Sequence, residues 1–153
     1  MDHHGLEQRT FDEQTMLRQL MDALRITVAR EERAGDSAQR VATLRFIVQS
    51  FQRHLERLMS MEEDDGYLGW VVDENPRLNR AVAALRDEHD RFREAGQRVL
   101  RRLSQLSSAE DRSELDPACA ELLDLLRMLD EHHEREGGLM QEALARDVGT
   151  EGG

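Results

Sequence analysis

Apolar residues recur in alternating steps of four and three along four stretches of the chain. The first stripe is Leu17, Met21, Leu24 and Val28, with Gln14 in register one step earlier. The second is Val41, Leu44, Val48, Phe51, Leu55 and Leu58, and it ends on Glu62. The third is Leu78, Val82, Leu85, His89, Phe92, Gly96, Val99, Leu103 and Leu106. The fourth is Leu122, Leu125, Leu129, His132, Glu136, Leu139 and Ala143. This rhythm is the inward stripe of a bundle helix, and short connections make successive helices antiparallel. The pattern predicts an all-α protein: a single up-down-up-down four-helix bundle over residues 10–148, with flexible tails at 1–9 and 149–153.

Boundary signals refine the picture. Thr10-x-x-Glu13 has the form of a capping box, so the first helix is expected to start at Thr10 and run to about Arg33, before Ala34-Gly35-Asp36. The second begins near Ser37. Asn75-Pro76 opens the third helix and Asp116-Pro117 the fourth, each a cap residue followed by proline at the first helical position. The third fades over Ser104 to Ser108, and the fourth ends near Arg146.

Five polar residues interrupt the stripes: Gln14, Glu62, His89, His132 and Glu136. Counting from the turns at ~1.5 Å per residue puts Gln14 level with Leu58, and His89 level with His132. Glu62 joins them if the second helix continues, bent, to about Val72 despite Gly66 and Gly69. All five then share one core layer. Buried carboxylates are costly unless paired or bound to metal. His132-x-x-x-Glu136 puts both side chains on one helix face, and His89 and Glu62 add an imidazole and a carboxylate from two other helices. Two imidazoles and two carboxylates suit a first-row metal, with iron, manganese and zinc all chemically reasonable. His133, beside His132, and His54, one turn before Leu58, are second choices for the same role. The rest of the acidic run Glu62 to Asp65 is expected to form a solvated face.

Composition narrows the function. The chain has 153 residues, 35% of them charged, and a net charge of −11, which disfavours nucleic acid and anionic lipid because phosphate binding needs clustered Lys and Arg. The single cysteine, Cys119, excludes an intrachain disulfide and reads as a small buried helix residue. Met16, Met21, Met59, Met61, Met128 and Met140 read as core filling. No apolar run approaches the ~20 residues of a membrane span, and no signal peptide pattern opens the chain, so a cytoplasmic location is expected. There is no Gly-rich phosphate loop and no nucleophile paired with a base, so no enzyme class is indicated.

Glu88-His89 followed by His132-x-x-x-Glu136, the stretch Leu139 to Ala143 with Arg146-Asp147, and the segment Met61 to Leu68 form an ordered set. In that order and spacing the chain resembles the hemerythrin-like (HHE) family from about Phe11 to Asp147. The resemblance implies a four-helix bundle and, in members with the complete ligand set, an oxo-bridged di-iron centre for oxygen binding, sensing or iron handling. The chain departs from this set. Glu13-Gln14 stands where Glu-His is expected, Leu58 occupies the other first-half histidine position, and Arg93 stands where some members carry a further histidine. Carried over residue by residue, the metal ligands are His89, His132, Glu136 and Glu62. One ion, iron first, is expected rather than a di-iron centre, with O2 or another diatomic ligand as the partner. The alternative is a bundle that has lost its metal and serves as a structural or protein-interaction module.

Overall fold

Five helices and one 3₁₀ turn account for nearly all of the chain in a computed structural model, which describes residues 3–30, 37–64, 67–106 and 112–151. They are α1 (His3–Ala29), α2 (Ser37–Asp64), α3 (Tyr67–Glu74), the 3₁₀ turn Pro76–Leu78, α4 (Asn79–Gln105) and α5 (Arg112–Glu151). No strand occurs among the described residues, and none of their helices is long and apolar enough to cross a membrane. The expected turn at 34–36, Gly66 and the residues around Ser107 and Ser108 lie outside the described residues.

Cross-helix contacts give the helix directions. Arg40 of α2 donates to the carbonyl of Val28, while His54 of α2 meets Glu13, so α1 and α2 run antiparallel. Arg93 meets Glu56 and His89 meets Glu63, which orients α4 against α2 in the same sense. Arg102 pairs with Glu121 and Arg135 with Glu88, so α5 reverses α4. The contacts α1–α2, α2–α4, α4–α5 and α1–α5 close a ring of four long helices. The short α3 touches α2, α4 and α5.

The stripes read from the sequence are the buried faces. Every stripe residue of α2 is buried, and so is each one of the third stripe from Leu78 to Leu106. The apolar interior falls into two clusters. The larger runs from Leu17, Leu44 and Phe51 to Phe92, Val99, Leu122 and Leu129. The smaller joins Leu68 and Val71 of α3 to Val82 and Leu85 of α4 and Ala143 of α5. Along α4, His89 lies between Leu85 of one cluster and Phe92 of the other; along α5, His132 and Glu136 lie between Leu129 and Ala143. A polar layer thus divides the core.

Several expected boundaries move. α1 starts at His3, seven residues before the Thr10 box, so Thr10 is an internal helical residue and not a cap. The second helix was expected to continue, bent, to about Val72; α2 is described to Asp64 and α3 (Tyr67–Glu74) follows, with residues 65–66 between them outside the described residues. Asn75 caps as expected, its side chain accepting from the Arg77 amide at 3.2 Å with Pro76 next to it, but it opens a 3₁₀ turn that leads into α4. α5 begins at Arg112, so Pro117 lies inside it, and the helix continues past Arg146 to Glu151. As the sixth residue of α5, Pro117 removes one ladder bond and crowds the carbonyl four residues earlier, a cost set against the burial of Leu115, Ala118, Cys119 and Leu122 around it.

Candidate metal centre

Glu62, His89, His132 and Glu136 come from three helices, α2, α4 and α5, and meet in the polar layer. They are 2, 0, 2 and 4% exposed, which makes them, with Asn75, the buried polar side chains among the described residues. One ligand atom from each lies within 4.8 Å of the others. Metal–ligand bonds of about 2.0–2.2 Å place opposed donors roughly 4–4.4 Å apart, so a slight contraction fits this quartet around a single ion.

The hydrogen bonding is incomplete in an informative way. His89 Nε2 lies 3.0 Å from Glu62 and His132 Nε2 lies 2.6 Å from Glu136. These contacts are close but not aligned as hydrogen bonds. His89 Nε2, His132 Nε2, Glu62 Oε1 and Glu136 Oε1 are all buried without a hydrogen-bond partner. Buried polar atoms are nearly always satisfied, so four orphans converging on one point need an explanation. A metal ion accepts such donor sets directly.

The other ring nitrogens are held from outside. His89 Nδ1 donates to Glu63 at 2.6 Å, and Glu63 is in turn 3.5 Å from Arg93. His132 Nδ1 donates to Glu88 at 3.3 Å, and Arg135 grips both oxygens of Glu88. With the proton on Nδ1, each ring turns its Nε2 lone pair inward, the tautomer that a metal ligand requires. The two rings stand 5.2 Å apart, and Phe92 packs edge-on against His132 at 5.0 Å.

Burial sets the charge states of the metal-free layer. Desolvation pushes Glu62 up to about 7, opposed by the close contact with the His89 ring and reinforced by the neighbouring Glu136 carboxylate. Desolvation likewise pushes Glu136 up to about 7. For His89 burial acts downward, but the carboxylates of Glu62 and Glu63 outweigh it and raise the ring above its ordinary value. His132 is lowered, chiefly by desolvation. Burial also works to raise Glu88, yet Arg135 and His132 together bring it below the usual carboxylate range.

Other expected residues stand elsewhere. His54 pairs with Glu13 at 2.8 Å on the α1–α2 side and takes no part in the cluster. His133 is half-buried behind His132, its ring 5.9 Å away. Gln14 is half-buried and does not join the four, while Leu58 is buried as part of the apolar core. Glu63 departs from the solvated face expected for it: it is half-buried and bonded to His89. Glu63, Glu88, Arg93 and Arg135 are absent from the sequence-derived metal set. Their signal was adjacency, since Glu63 follows Glu62 and Glu88 precedes His89. Compared with known proteins, the chain matches no protein-family model, no curated protein and no solved structure.

Proposed function

We propose that this chain is a metal-binding helical bundle holding one first-row divalent ion, iron first, at Glu62, His89, His132 and Glu136, and that it works in sensing or handling iron or a diatomic ligand. The observation that carries this reading is the convergence within one layer of four buried donor atoms that no hydrogen bond satisfies. Two features support a single ion. The α1–α2 half of the layer contributes Leu58 to the apolar core, and His54 there is engaged by Glu13. The hemerythrin-like resemblance in α4 and α5 supports iron as the first choice, with manganese and zinc compatible with the same donors. An iron ion held there would supply affinity for a diatomic ligand or a reversible store of the metal itself. The residues around it orient the imidazoles, keep bulk water out and neutralise the buried charge.

A second reading has its own support. The contacts of Glu62 with His89, of Glu63 with His89 and of Glu88 with His132 bind α2, α4 and α5 together without any ion, as a register-fixing network of a metal-free structural or interaction module. Metal analysis of untagged protein, produced with added iron and compared with chelated protein, separates the two. One ion per chain, lost in His89→Ala and in Glu136→Ala, is the expected result. A folded helical protein that takes up no metal supports the second reading, and retained stoichiometric metal in His89→Ala refutes the ligand assignment.

A further inference from the structure

An ion bound in the layer must pass to side chains that are at most 4% exposed. Two faces of the bundle bring polar atoms close to them. On the α4–α5 face, Arg135 holds both Glu88 oxygens with two nitrogens, a bidentate clamp that closes the approach. The α2–α4 face is looser. Arg93 Nη2 is 3.5 Å from Glu63, a long contact, while its Nε and Nη1 are held at 2.8 and 2.9 Å by Glu56 and Asp90. Arg93 also lines a cavity of about 370 Å³ between α2 and α4, together with Gln52, Glu56, Met59, Phe92 and Gln97. Phe92 belongs both to this cavity and to the wall of the cluster, where it touches His132. Carboxylates descend in exposure along this face: Asp90 at 76%, Glu56 at 52%, Glu63 at 29% and Glu62 at 2%.

Resting on the metal-binding reading above, the geometry points to the α2–α4 face, along the carboxylates Asp90, Glu56 and Glu63 beside this cavity, as the route by which a divalent cation reaches the cluster, with Arg93 as its latch. Asp90 and Glu56 attract the hydrated cation at the surface. Glu63, bonded to His89 at 2.6 Å, is the step between those two and Glu62. Carboxylate oxygens can replace the cation's waters a few at a time, which spreads the desolvation cost over the path. The Arg93 guanidinium stands among Glu56, Asp90 and Glu63, offsets these three carboxylates and repels an arriving cation. Its weakest contact, to Glu63, is the one that must open.

Stopped-flow uptake of Co²⁺ by the chelator-treated full chain, followed by visible absorption, tests the route. Arg93→Gln is expected to raise the association rate roughly tenfold at low salt, with the gain shrinking as ionic strength rises. The double variant Glu56→Gln/Asp90→Asn removes two of the three carboxylates that offset the guanidinium, leaves it to Glu63, and is expected to slow uptake by a comparable factor. Final stoichiometry stays at the wild-type value in both. Arg127→Gln removes the same charge from an exposed pair with Asp124 and Glu131 on α5 and leaves the rate unchanged. Equal rates in wild type, Arg93→Gln and the double variant overturn the route while leaving the metal site standing. Should Arg93→Gln not fold, the double variant decides alone: slower uptake supports the route and unchanged uptake overturns it. A wild-type chain that binds no Co²⁺ at all sinks the route and the metal-binding reading together.

Discussion

A ligating imidazole works through one nitrogen and is steered by the other. In this chain both steering carboxylates are themselves contacted by arginines, Glu63 by Arg93 and Glu88 by Arg135. Removing an outer carboxylate typically weakens metal binding by about 10–100-fold. Glu63→Gln and Glu88→Gln are each expected to lose affinity by that factor while still binding one ion, measured by competition with a chromophoric chelator; unchanged affinity would show that the rings need no outer support. The raised carboxylates give a second expectation. Glu62 and Glu136 ionise near 4.5 in an unfolded chain and near 7 in the folded, metal-free protein. Between those values the folded chain keeps protons that the unfolded chain has released. Their contribution to stability is therefore full below about 4.5, declines as pH rises through 7, and is flat above. Denaturant midpoints of chelated protein should fall between pH 5 and 7.5, and the double variant Glu62→Gln/Glu136→Gln should flatten that trend. Metal affinity runs the other way and rises with pH, because the ligands bind deprotonated. At this scale the four inward residues were legible because each breaks an apolar stripe at a stripe position. Glu63, Glu88 and Arg135 were not, because residues flanking a stripe look like ordinary solvent-facing charge until the neighbouring helix is placed.

At the scale of the elements, periodicity located the faces far better than capping signals located the ends. The stripe Leu78 to Leu106 is buried throughout, since one wrong residue there would bury a charge or expose a hydrophobe. A capping box has no such penalty: Thr10 and Glu13 are compatible with an internal turn, and α1 runs through them from His3. Pro117 failed as a boundary for a different reason: it lies inside α5, and the buried contacts of Leu115, Ala118, Cys119 and Leu122 on either side hold the helix through its lost bond. The join between α2 and α3, where a bend was expected, falls on residues 65–66, outside the described residues, and α3 beyond it packs against α4 and α5. Glycines inside α5 offer a quantitative check. Gly137 and Gly138 are exposed, and a Cβ added at either would meet nothing within 4 Å. Alanine at each should stabilise the protein by about 0.5–1 kcal/mol through helix propensity alone, read as a higher denaturation midpoint. Gly96 is the contrary case: a Cβ there would come within 2.1 Å of Gln52 Nε2, so Gly96→Ala must displace the Gln52 side chain that lines the α2–α4 cavity.

For the whole molecule, the helical bundle was legible from the count and phase of the stripes, and the meeting of the quartet from equal chain lengths on either side of the turns. The contacts of α3 with α4 and α5 were not, because an eight-residue segment carries too little pattern to say where it packs. Those contacts have a consequence for how the protein opens. The smaller apolar cluster unites α3, the start of α4 and the late part of α5, and along α4 and α5 the polar layer lies between it and the larger one. Ion pairs and hydrogen bonds across such a layer are weaker glue than continuous hydrocarbon, so the molecule should behave as two cooperative units in native-state amide exchange. Amides around Leu68, Val82 and Ala143 should exchange through a partial opening that leaves Leu44, Val99 and Leu122 protected. An ion gripping residues from α2, α4 and α5 at the seam would merge the two exchange classes into one, so that occupancy is written into the protein's breathing as well as its chemistry.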